Sequence, residues 1–77
     1  MSYVAFVSDE REGESYVNGP FDSFEQACKW ANEFVVDKAK EYGLHANADG
    51  GSFAWIRAEG DEDEVVLEVT VMTLIAP

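Results

Sequence analysis

Between residues 23 and 42 apolar side chains recur at three- and four-residue intervals, while on either side of that stretch they alternate or cluster in short β-rich groups. Phe24, Ala27, Cys28, Ala31, Phe34, Val35, Ala39 and Tyr42 fall on one stripe of a 3.6-residue repeat, which predicts an amphipathic helix over Ser23 to Tyr42 with that stripe buried. Asp22 or Ser23 is placed to cap its start, Glu25 stands in the capping-box position after Asp22, and Gly43 supplies a left-handed stop. Phe21, just ahead of the cap, is placed to pack on the first turn as a staple. At about 1.5 Å per residue the helix is roughly 30 Å long, enough to cover a sheet from end to end.

The flanking segments supply that sheet. Tyr3 to Ser8 is rich in β-formers and is bounded by the polar run Asp9-Glu10-Arg11-Glu12-Gly13-Glu14, after which Ser15 to Val17 returns as a second strand. Asn18-Gly19-Pro20 is expected to break it. Leu44 to Gly51 reads as a loop. Ser52 to Glu59 and Val65 to Ile75 form a second hairpin closed by Gly60-Asp61-Glu62-Asp63.

Register follows from the faces. With Glu59 opposite Glu64, Arg57 meets Val66, Trp55 meets Glu68 and Phe53 meets Thr70. One face then holds Ala54, Ile56, Ala58, Val65, Leu67, Val69 and Val71, and the other Trp55, Arg57, Glu68, Thr70 and Met72. The all-apolar face belongs against the helix, and Arg57 is left free to pair diagonally with Glu68. In the first hairpin Val4, Phe6 and Val17 are expected to face inward, leaving Tyr3, Ala5, Val7 and Tyr16 outside with Trp55 and Met72. That outer face is either a set of scattered surface hydrophobes or an interaction surface. Val69 to Ile75 is apolar enough to need a central place in the sheet or a partner.

The expected fold is therefore α+β, a single small domain over residues 1–77 in the order ββαββ. One long helix packs on one face of an antiparallel sheet of three to four strands. With the helix antiparallel to the strands on either side of it, the two acidic hairpin tips lie at opposite ends of the sheet, roughly 25 to 30 Å apart by strand rise.

Composition changes this picture in one respect, charge. The 77 residues carry 16 acids against 5 Lys and Arg, a net charge of −11. The excess sits outside the helix: net −4 over residues 1–22, −1 over 23–42 and −6 over 43–77. Adaptation to high salt would acidify the helix as well, and Lys29, Lys38 and Lys40 argue against it. A chain this short buries only about 60% of its unfolded surface, so a dimer would add stability. The absence of a long apolar run, a signal-peptide pattern or a lipidation motif points to a soluble, cytoplasmic protein.

Recognisable chemistry is sparse. Cys28, the single cysteine, lies on the buried stripe and reads as a small hydrophobe. His45 is a lone loop histidine and reads as solvated. Aligning Gly50 with the glycine of a calcium loop puts His45 and Ile56 at the first and last ligand positions, which excludes that motif. There is no glycine-rich phosphate loop and no zinc-ligand spacing, so the expectation is a non-enzymatic protein with no catalytic residue, no metal and no cofactor.

The sign of the charge opposes direct binding to nucleic acid and favours the opposite partner, a basic protein surface built for nucleic acid. Asp61, Glu62, Asp63 and Glu64, with Glu10, Glu12 and Glu14, are the candidate binding groups, their carboxylates standing in for phosphates. Tyr3, Tyr16 and Trp55 are candidate apolar anchors on the outer sheet face. In size, acidity and α+β composition the chain resembles the phage-encoded inhibitors of bacterial defence, including anti-CRISPR and anti-restriction proteins, several of which mimic DNA. The resemblance is to a class and carries over no motif or residue; it implies a defence complex as the partner, met in the bacterial host cell. The alternative is a small structural or assembly protein that self-associates through the outer sheet face or the Val69 to Ile75 strand, as a possible homodimer, with its acidity serving solubility.

Overall fold

A computed structural model describes residues 2–74; Ile75, at the expected end of the last strand, and the side chains of Asp61, Glu62 and Asp63 lie outside the described residues. The elements are β1 (Ser2–Asp9), β2 (Glu14–Phe21), α1 (Phe24–Tyr42), β3 (Ala46–Asn47), β4 (Phe53–Ala58) and β5 (Asp61–Leu74). All five strands join in one antiparallel sheet of order β2-β1-β5-β4-β3, with α1 across one face. The α+β class and the helix-on-sheet arrangement are as expected. The sheet has five strands rather than three to four, because part of the expected loop, Ala46–Asn47, pairs with β4.

The helix ends are set by local chemistry. Of the two candidate caps Ser23 is used, its Oγ accepting the Gln26 N–H at 3.1 Å. Gly43 takes φ +69°, a left-handed conformation that costs a side-chain-bearing residue energy, and its N–H and that of Leu44 close the last carbonyls. Ala27, Cys28, Ala31, Val35 and Ala39 are buried as the stripe predicts, while Phe24 is exposed and meets Tyr3 edge-on at 5.7 Å. Phe21 packs on Trp30, 5.9 Å away in the second turn, and Trp30 stacks on Phe34 at 5.0 Å.

Below the helix, Ala5 and Val7 of β1, Ala54 and Ile56 of β4, and Leu67, Val69 and Val71 of β5 complete the core. The expected register holds from Phe53↔Thr70 to Ile56↔Leu67. Beyond Ile56 it shifts: Arg57 lies opposite Val65 and Ala58 opposite Asp61, so the connection shrinks to Glu59-Gly60 and the acidic run 61–64 is strand backbone rather than a closing turn. Arg57 does not pair with Glu68. Its guanidinium lies 5.7 Å from the Trp55 ring centroid, and the one ion pair among the described residues is Lys38–Glu41 at 3.4 Å.

The first hairpin has the opposite phase to that expected. Ala5 and Val7 are fully buried, whereas Phe6 is 37% and Val17 56% exposed. Tyr3 to Val7 is apolar in both phases, so alternation alone does not choose between them. Size does: the helix presents Ala27 and Ala31 to the sheet, and Ala5 and Val7 fit a close approach that Phe6 would prevent. Tyr3, opposite Phe21, and Tyr16, opposite Val7, therefore lie on the helix side, not on the outer face. β2 also continues through Asn18-Gly19-Pro20 with a register irregularity, which an edge strand accommodates because its outer N–H groups have no ladder partner.

The largest correction concerns the hairpin tips. β5 lies between β1 and β4 and is antiparallel to both, so β1 and β4 run the same way and both end at their turns. The tips share one end of the sheet instead of occupying opposite ends. The cause is the segment after Gly43: β3 runs antiparallel to β4 and carries the chain back from the helix end, so β4 begins at the far end and returns.

Candidate functional site

At the shared end the first tip is bonded directly to the base of the second. The Glu10 N–H donates to the Val66 carbonyl at 2.9 Å. A concavity of about 270 Å³ lies between them, lined by Glu10 and Arg11 from one tip and Glu59, Glu64 and Val65 from the other, with Leu44 across from both. A larger, open groove of about 740 Å³ continues past Leu44 and Glu59 to His45, Asn47 and Arg57. Nine of the chain's 16 acids fall in residues 9–14 and 59–64, with Arg11 as the only base there, so convergence of the tips gathers most of the net charge at one end. The helix C-terminus arrives at the same end and adds the negative pole of its dipole.

One acid of this group is not available to a partner. Asp9, 5% exposed, is turned inward at the end of β1. Its Oδ2 accepts the Tyr42 hydroxyl at 2.5 Å and its Oδ1 accepts the Glu12 N–H at 3.1 Å. Arg11 lies over the Tyr42 ring, 4.4 Å from its centroid, and donates to the Tyr42 carbonyl at 3.4 Å. The first tip is thereby pinned to the last turn of the helix, which holds Glu10 and Glu12 outward. Burial, and then the bond to Asp9, push the Tyr42 phenol well above its ordinary value near 10.

The candidate residues divide accordingly. Glu10, Glu12, Glu14 and Glu64 are exposed at the shared end; Asp61, Glu62 and Asp63 belong to the same run, but their side chains lie outside the described residues. Trp55 does lie on the outer face, stacked on Phe53 at 5.0 Å. Tyr3 and Tyr16 do not, so the outer-face anchor group reduces to Trp55, joined there by Phe53 and Phe6. Glu59 was missed because it reads as the last residue of a strand, whereas it occupies the turn.

Asn32 was also missed. It is buried, and its Nδ2 donates to the Cys28 carbonyl at 2.7 Å and the Gly51 carbonyl at 2.9 Å while its Oδ1 accepts the Gly50 N–H at 3.0 Å. These bonds hold the returning segment against the helix. The signal was its place on the buried stripe, four residues after Cys28. Cys28 is buried as expected, and burial pushes its thiol up, away from reactivity.

Among the described residues no group of three or more His, Cys, Asp or Glu is arranged to hold a metal ion, and no helix is long and apolar enough to cross a membrane. Comparison with protein-family profiles, curated proteins and solved structures gave no match.

Proposed function

We propose that this protein is a non-enzymatic inhibitor or adaptor whose acidic end docks on a basic protein surface built to hold nucleic acid. The observation that carries the reading is the convergence of the two hairpin tips, with Glu10 and Glu64 lining one concavity. Carboxylates spread over a surface act singly and are screened within about 8 Å at physiological salt. Gathered on two hydrogen-bonded tips they act on a partner together, raising the rate of encounter and selecting a positive groove. The tips are also preorganised by the Asp9, Tyr42 and Arg11 contacts, so less ordering is needed on binding.

A nucleic-acid-binding complex of bacterial defence is the partner this reading favours, by way of the size, acidity and α+β composition shared with phage inhibitors. The test is capture from bacterial lysate at low and high salt, followed by challenge of the captured material with duplex DNA. The reading expects basic nucleic-acid-binding proteins that are released by salt and displaced by DNA. Retention of partners indifferent to both salt and DNA would overturn it.

A further inference from the structure

We propose that the open face of the sheet is a homodimer interface, covered by the same face of a second copy of this chain. The proposal stands on that face alone and is independent of what the acidic end binds. Among the described residues no element packs on this side of the sheet, since α1 covers only the other. Phe6, Val17, Phe53, Met72 and Leu74 are exposed there, and Trp55 stacks on Phe53. The cross-strand register makes them one patch. Val17 lies opposite Phe6, Phe6 opposite Thr70, and Thr70 opposite Phe53, a single row across four strands, with Val4 and Met72 in the next row.

The choice of a second copy as occupant follows from charge. In a chain of net charge −11 the charged residues flanking this patch are Arg57, beside the Trp55 ring, against Glu68 and Asp49, which leaves it close to neutral. A basic partner gains nothing from such a face and is drawn to the acidic end instead. The surface that suits it is apolar and uncharged, and another copy of the same face meets that description. Repulsion between copies is manageable in one arrangement. A two-fold axis lying between the sheets and across the strands sets the strands antiparallel and puts the two acidic ends at opposite ends of the pair, using the 42 Å length of each molecule.

The area is sufficient for a reversible dimer. Four strands spaced by about 4.8 Å and about seven residues at roughly 3.3 Å give ~450 Å² per copy in projection, before side-chain relief is added. Two copies therefore remove about 1,000 Å² from water, the lower bound for specific association. The packed sheets would lie about 10 Å apart, forming a second core between two helix-covered layers.

Light scattering and sedimentation over about 1 µM to 1 mM test this with the whole chain. The expected result is a mass that rises from 8.5 kDa toward twice that value. Phe6→Ser with Trp55→Ser should weaken association at least tenfold while leaving the circular dichroism unchanged, because neither side chain belongs to the helix-side core. Thr70→Cys, at the middle of the patch, provides a second reading that does not depend on the double variant folding. It should form a disulfide-linked dimer on mild oxidation, whereas Glu33→Cys on the exposed side of the helix should not. A wild-type mass of 8.5 kDa throughout the range overturns the proposal, as does cross-linking through position 33 but not 70.

Discussion

Tyr42→Phe removes one hydroxyl from the contact that pins the first acidic tip to the helix. That hydroxyl donates to Asp9 Oδ2 at 2.5 Å, and Asp9 is 5% exposed, so solvent does not readily replace the lost donor. The remaining ring keeps its place beside the core and its face toward Arg11, which confines the change to the hydrogen bond. Hydrogen bonds to charged groups contribute about 1.5–3 kcal/mol, and the other Asp9 oxygen keeps the Glu12 N–H, so a loss of about 2 kcal/mol is expected. In a domain of this size each kcal/mol moves Tm by about 4–8 °C, which places the fall at about 8–16 °C. Urea unfolding should show a lower midpoint with an unchanged slope.

The same contact fixes a dependence on pH. In the fold the Tyr42 phenol is held above its ordinary value near 10, so above pH 10 the unfolded chain loses that proton first. The stabilisation is complete below pH 10 and declines as pH rises toward the folded value, by about 1.4 kcal/mol per pH unit. The variant has no such proton. Its deficit relative to wild type should therefore shrink above pH 10, even though Tyr16, also raised by burial, continues to titrate in both proteins. A deficit below about 0.5 kcal/mol at neutral pH, set against the expected range for such a bond, refutes the assignment. So does a deficit that is constant from pH 8 to 11.

Three further outcomes follow from the packing. Asn32→Ala should cost about 1–3 kcal/mol and speed amide exchange at Gly50 first, as measured by hydrogen exchange, because that N–H loses its acceptor. Gly43→Ala should cost about 1–2 kcal/mol in urea unfolding from backbone strain alone, since φ is +69° and an added Cβ meets nothing within 4 Å. The Cys28 thiol should react with a disulfide reagent only at the rate of unfolding, because it is buried and its thiolate is disfavoured; rapid modification of the native protein would contradict its placement.

The helix and the second hairpin were legible because each carries a pattern with one solution. A stripe at 3.6 spacing, capped by Ser23 and stopped by Gly43, admits little choice. In Phe53 to Ile56 only one register keeps Glu68 and Arg57 off the core face. The first hairpin was ambiguous because Tyr3 to Val7 is apolar in both phases, and the choice depends on how closely the helix approaches. Strand order was hidden for a different reason. Two residues, Ala46 and Asn47, pair with β4 and reverse the chain direction, and a pairing that short leaves no periodicity. That small element decides where the acidic tips lie. The candidate carboxylates could thus be named from sequence, but their assembly at one end could not. Asp9, which reads as part of the acidic run, is instead the buried acceptor that holds it in place.

Docking on a basic surface by the acidic end depends on charge gathered there rather than on charge in total, and a pair of matched variants separates the two. Glu10→Gln, Glu12→Gln, Glu59→Gln and Glu64→Gln remove four of the nine acids on the two tips. Asp22→Asn, Glu25→Gln, Glu33→Gln and Asp37→Asn remove four exposed acids, one just before the helix and three along it, so each variant changes the net charge from −11 to −7. Both are compared with wild type for capture of DNA-displaceable proteins from bacterial lysate at physiological salt. The tip variant should lose those partners while the helix variant keeps them. Equal loss by both, or retention by the tip variant, would contradict docking by the acidic end.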